Sequence, residues 1–112
     1  MSFRMVDAAA VPLGPGPHPA ASPYDKKLSE PRGLTNFELY QVELPPGATT
    51  VVHDHLADEV EDAYVVVAGS GWLVVDGQEV ALNVGHCVAV TQESVRAVRA
   101  GEDGCTLIAV CA

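Results

Sequence analysis

Basic residues are scarce in this chain. Six Lys and Arg stand against fifteen Asp and Glu, for a formal net charge of −9. A nucleic-acid binder needs a basic stripe to displace counterions from phosphate, and six scattered cations do not make one. The same deficit disfavours an anionic membrane surface. No apolar run approaches the ~20 residues of a spanning helix. Ala8-Ala-Ala-Val11 is stopped by Pro12 before it reaches the length of a signal-peptide core. Cys87, Cys105 and Cys111 are odd in number and lack CxxC spacing, which argues against a disulfide framework. Free thiols suit a reducing compartment, so the expected location is cytoplasmic. There is no internal repeat of solenoid length.

Aromatics amount to only 5%, yet hydrophobic residues reach 48%, and Val and Ala dominate them. Branched aliphatic side chains pack well on a pleated surface, so the expected core is β. A chain of 112 residues makes one domain. Pro12, Pro15, Pro17, Pro19, Pro23 and Pro31 forbid a continuous helix or central strand between residues 12 and 32. Residues 1–33 are therefore read as an irregular proline-rich arm, able to pack on the body or on a second subunit, and residues 34–112 as the folded domain.

From Leu34 to Leu44 apolar and polar residues alternate, with a parity switch near Tyr40 that predicts a bulge. Pro45-Pro46-Gly47 is a turn. Thr50–His55, Ala63–Ala68 and Trp72–Val75 are short β-favouring runs, and Asp76-Gly77 supplies a two-residue hairpin turn. Glu79–Leu82, His86–Val90, Val95–Arg99 and Cys105–Cys111 follow, with Gly101-Glu-Asp-Gly104 as the last turn. Cys105 and Cys111 share strand parity with Leu107 and Ala109, which makes them small buried hydrophobes. Short strands at even spacing without an amphipathic helix read as an all-β sandwich or barrel.

The chemistry concentrates in His53-Asp-His55. Two positions apart on a strand, both imidazoles leave the same face. A carboxylate brought in from the following strand would complete a 2-His-1-carboxylate site. Asp58, Glu59, Glu61 and Asp62 all follow within seven residues, and the residue pattern leaves open which of Glu59, Glu61 and Asp62 is the ligand.

Gly47, then five residues, then His53-Asp-His55, an acidic residue and Gly69 after a β-run resemble the first motif of the cupin superfamily. The resemblance spans about residues 34 to 112 and extends to the Glu61-Asp-Ala-Tyr-Val-Val-Val-Ala-Gly-Ser-Gly71 and Arg96-Ala-Val-Arg-Ala-Gly101 segments of small bacterial cupins. It implies a double-stranded β-helix, or jelly-roll barrel. It also implies an acidic ligand seven residues before Gly69, which is Asp62, in parity with Tyr64 and Val66. The loop before Asp62 is about two residues longer than the common form, which leaves Glu59 and Glu61 as rivals.

The second cupin motif is eroded. Gly85-His-Cys-Val-Ala-Val90 fits it, but Thr91, Glu93 and Arg96 replace the usual proline, glycine and final histidine ligand. Guanidinium cannot replace imidazole on a metal. Two roles remain for Arg96: an anchor for a substrate anion, or the ion-pair partner of Asp62. Tyr64 is a candidate proton donor to substrate, Trp72 a packing residue, His86 a surface residue at a strand start, and His18 a residue of the arm.

The first expectation for function is a small metal-dependent enzyme of isomerase, cyclase, lyase or dioxygenase type. His53, His55 and Asp62 would hold a divalent Fe, Zn, Mn or Ni ion, with Arg96 and Tyr64 acting on a small anionic metabolite. The alternatives are a non-catalytic module for a small anion or sugar, and a metal-free remnant acting through dimerisation. A homodimer is expected, because small cupins commonly pair through N-terminal strands that would otherwise be open edges.

Overall fold

The computed structural model describes residues 5–14, 21–29 and 36–112. Leu34, His18 and Pro31 lie outside them. Six strands form: β1 (Asp25–Lys27), β2 (Glu38–Leu44), β3 (Asp62–Val75), β4 (Gln78–Asn83), β5 (Cys87–Val90) and β6 (Arg96–Cys111). All pair antiparallel, in the order β1-β2-β6-β3-β4, with β5 also on β3. A single turn of 3-10 helix, Ala8–Ala10, precedes them. No helix among the described residues is long and apolar enough to cross a membrane. The fold is the jelly roll implied by the resemblance.

Two long strands organise the barrel, where the sequence suggested four short ones. Ala63–Ala68 and Trp72–Val75 fuse into β3, and Val95–Arg99 and Cys105–Cys111 into β6. The expected turn Gly101–Gly104 is therefore strand. The reason lies in how each strand changes face halfway. In β3 the buried positions are Asp62, Tyr64 and Val66, then Gly71 and Leu73. In β6 they run through Arg96, Val98 and Ala100, then Cys105, Leu107 and Ala109. The β3–β6 register slips between Val66 and Ala68 and again between Gly69 and Gly71, and such bulges bend a strand without ending it. Gly69, at φ +73, permits the bend: a Cβ there would lie 2.1 Å from the Gly104 carbonyl oxygen.

On one flank of β3 run β5 and then β4. Asp76-Gly77 joins β3 to β4 with φ of 48° and 81°, the left-handed pair a two-residue hairpin requires. The outer flank of β6 is covered by β2 along its C-terminal half. No bulge occurs near Tyr40, since the β2–β6 register runs unbroken from Glu38–Cys111 to Leu44–Cys105.

Along the N-terminal half of β6 the expected strand Thr50–His55 is only an extended segment, touching β6 at the isolated bridges Thr49–Arg99 and His53–Arg96. Its ladder is broken chemically. The Val98 N–H donates to Thr50 Oγ1 at 2.9 Å instead of to a backbone carbonyl. The core cluster draws on both halves of the long strands, from Val66, Leu73 and Leu82 to Val98, Cys105 and Leu107. The parity reading of the cysteines holds for Cys105, which is 2% exposed; Cys111 is half-buried and Cys87 exposed.

The stretch read as irregular contains β1, which pairs Asp25–Lys27 with Val42–Tyr40. Lys26 is buried there, its ammonium 2.7 Å from Glu43 and donating to the Ala8 carbonyl at 3.1 Å. This part of the arm packs on the barrel and, with Ala21, Ser22 and Asp25, walls one side of its cavity.

Candidate metal centre

His53 and His55 come together because the segment carrying them is pinned at both ends. The His53 N–H donates to the Arg96 carbonyl at 3.0 Å, the Arg96 N–H returns the bond at 2.8 Å, and the His55 N–H donates to the Gln92 carbonyl at 2.9 Å. The rings meet edge to face with centroids 4.8 Å apart. Each Nδ1 faces away from the pair: that of His53 donates to the Val51 carbonyl at 2.7 Å, and that of His55 to the Asp58 carboxylate at 3.0 and 3.1 Å. A carbonyl or carboxylate only accepts, so the proton of each neutral ring sits on Nδ1 and Nε2 is left bare.

The two Nε2 atoms are 3.2 Å apart, and Asp62 Oδ2 lies 3.0 Å from that of His55 and 3.8 Å from that of His53. Three acceptors converge at one point. Only a proton or a cation reconciles them, and all three ligand atoms fall within 4.8 Å of one another. Imidazoles held through Nδ1 by a carbonyl and a carboxylate are the outer support of metal-binding histidines. The donor set therefore fits a divalent ion.

Asp62 is selected over its rivals by burial: it is 3% exposed, whereas Glu59 and Glu61 lie on the surface. Its Oδ2 accepts from Tyr64 Oη at 2.7 Å and from an Arg96 guanidinium N–H at 3.0 Å. Its Oδ1 is buried without an N–H or O–H donor among the described residues. Burial pushes the Asp62 carboxyl up, but the nearby His53 imidazole, the hydrogen-bonded Tyr64 hydroxyl, and the neighbouring Cys111 and His55 outweigh it and hold the group well below the carboxylate range. The Asp62 carboxylate raises His53 in turn, with burial opposing and the Val51 carbonyl adding. Burial first, then Asp62, pushes the Tyr64 hydroxyl far above its usual value, so it stays a donor.

Arg96 is 0% exposed, the largest fully buried side chain described. One guanidinium nitrogen bonds Asp62 and another the Thr91 carbonyl. Arg96 does not line the cavity that His53, His55, Asp62 and Tyr64 open into. Of the two roles left open by the sequence, this geometry is that of the ion pair.

The cavity measures about 440 Å³, within the usual range for small-molecule sites. No family model matches the sequence, and no curated protein does at a significant level. Solved structures do match. A cupin protein from Bacteroides fragilis is 25% identical over 78% of this chain and 74% of that one, with TM-score 0.72. The chain has the cupin barrel. Further cupin-fold neighbours are the polyketide cyclase RemF from Streptomyces resistomycificus (23% identity, 98% and 79% covered, TM-score 0.79) and a sugar phosphate isomerase from Silicibacter pomeroyi (21% identity, 96% and 74% covered, TM-score 0.80).

In this cupin-fold barrel the structure brings His53, His55, Asp62, Tyr64 and Arg96 into one cluster and leaves His86 exposed, its Nδ1 accepting the Asn83 N–H at 2.9 Å. The roles of two residues escaped the sequence reading. Asp58, three residues beyond His55, orients that ring; the His-x-x-Asp spacing was the signal. Cys111, read as core, lines the cavity beside Asp62, because its strand position pairs directly with Asp62. Burial and the Asp62 charge push its thiol up, which leaves it protonated and unreactive.

Proposed function

We propose that this chain is a small metal-dependent cupin enzyme, of isomerase or cyclase class, acting on a small metabolite bound in the barrel cavity. The observation that carries the reading is the convergence of two bare imidazole nitrogens and one carboxylate oxygen at a cavity wall. His53, His55 and Asp62 would hold the ion, of the Fe, Zn, Mn or Ni type. Bound there, it would supply a Lewis acid that polarises a substrate carbonyl or hydroxyl. The remaining work falls to the chain. Val51 and Asp58 fix the imidazole tautomers, Tyr64 and Arg96 keep Asp62 ionised and aimed, and the apolar wall excludes water. The activities named for the cyclase and isomerase neighbours make chemistry at a polarised oxygen the candidate reaction.

One observation favours a second reading, a non-catalytic binding module. Arg96 occupies the Asp62 oxygen that faces both histidines, and a cation beside that oxygen weakens its hold on a second one. Elemental analysis of protein purified without chelator, followed by incubation with each ion, separates the two. The enzyme reading expects near-stoichiometric metal, lost in the His53→Ala/His55→Ala variant without loss of fold. A wild-type protein that takes up none of the four ions is not the proposed enzyme, and the non-catalytic readings stand.

A further inference from the structure

Asp25, Glu38, Asp58 and Asp62 line the cavity, and among the described residues no lysine or arginine does. Each carboxylate already has a partner in the chain. The Ser22 hydroxyl and N–H donate to Asp25 at 2.6 and 3.1 Å. Tyr40 Oη donates to Glu38 at 2.6 Å, and the Lys27 ammonium lies 3.7 Å from it. Asp58 is bound by His55, and Asp62 by Tyr64 and Arg96. The acids are thus not waiting anchors for an amine. Between them the wall is apolar: Tyr40, Val42, Val98, Leu107 and Ala109.

We infer that the cavity selects an uncharged, largely apolar molecule with an oxygen directed at the His53–His55–Asp62 corner, and rejects substrates whose body carries an anionic group, sugar phosphates and carboxylates among them. This rests on the cavity being the substrate site proposed above. An anionic group away from that corner must leave water for a wall whose described residues include no cation and carry carboxylates at the rim. A neutral apolar body gives up only apolar hydration. Among the described residues the one buried guanidinium near the site is spent on Asp62 and Thr91, behind the wall rather than in it.

The test uses two probes of matched shape, a hydroxynaphthalene sulfonamide and the corresponding sulfonate, titrated by calorimetry into metal-free and zinc-loaded protein. The neutral sulfonamide is expected to bind at least about tenfold more tightly than the sulfonate in both forms. In Glu38→Lys, a rim residue whose side chain is 48% exposed, the gap should close by about threefold or more through gained sulfonate affinity. Sulfonate binding within about twofold of the sulfonamide, or a gap unmoved by Glu38→Lys, overturns the inference. So does zinc uptake with neither probe bound, which leaves the metal reading intact. If zinc fails to load, the metal-free titration alone decides the selectivity, by the same limits of about twofold and about tenfold.

Discussion

Arg96 and Asp62 form a fully buried ion pair, 3.0 Å between guanidinium nitrogen and Oδ2, with side-chain exposures of 0% and 2%. Breaking such a pair from one side strands a charge in the interior, whereas replacing both partners with apolar groups is often neutral. Asp62→Ala is therefore expected to cost about 3–5 kcal/mol of folding stability. The double variant Asp62→Leu/Arg96→Met should recover most of that loss. Urea unfolding of the three proteins measures it, and a double variant no better than Asp62→Ala would mean that the pair is not the unit of stability.

Arg96→His should tighten metal binding by tenfold or more, on the order of 1.4 kcal/mol. The change removes a cation from the Asp62 oxygen and puts an imidazole at the position where the second cupin motif usually carries a ligand. Zinc titration against a competing chelator measures the change. Equal or weaker affinity in the variant would show that the backbone at Arg96, paired with His53, does not direct a side chain of histidine length to the ion.

The barrel and the paired histidines of the candidate site were legible because period and spacing carry them. His53 and His55 share a face in any extended conformation, even though the strand expected there is only two bridges. Asp62 needed the distance to Gly69. What stayed hidden depends on contacts between distant segments. Nothing local in Gly101–Gly104 distinguishes a turn from a strand that bends. The face change of β3 at Gly69 fixes it, through a backbone approach that no single segment reveals. The role of Arg96 was likewise undecided, because one buried guanidinium serves an ion pair or an anion equally well until the cavity wall is known. β1 was missed in the arm because three residues are too few to show a period.

Two glycines with the same backbone sign should respond differently to alanine. Gly69 and Gly77 have φ of +73° and +81°, but an added Cβ at Gly77 meets nothing within 4 Å, while at Gly69 it meets the Gly104 backbone. Gly77→Ala is expected to cost only left-handed strain, about 1 kcal/mol. Gly69→Ala adds a clash that only movement of β3 against β6 relieves, and should cost at least about 3 kcal/mol. Thermal unfolding of the two variants compares them directly. Equal losses would mean that the β3 bend has room to shift.

Stability of the metal-free protein should depend on pH in two opposite limbs. Asp62 is held below its ordinary 3.8 in the folded state. Its contribution is therefore present above pH 3.8 and is lost as pH falls through the depressed folded value. His53 is raised above 6.5, chiefly by Asp62. Its contribution is present in full below pH 6.5 and is lost as pH rises through the raised folded value. Urea midpoints measured with chelator should fall off on both sides of a plateau. His53→Ala should flatten the upper limb and also shrink the lower one, because His53 is among the groups that hold Asp62 down. Zinc should reverse the upper limb, because ion and proton compete for the same Nε2 and binding strengthens as the proton leaves. If the wild-type protein and His53→Ala lose stability alike above pH 6.5, with zinc making no difference, then His53 is neither the proton-holding group of the corner nor a ligand.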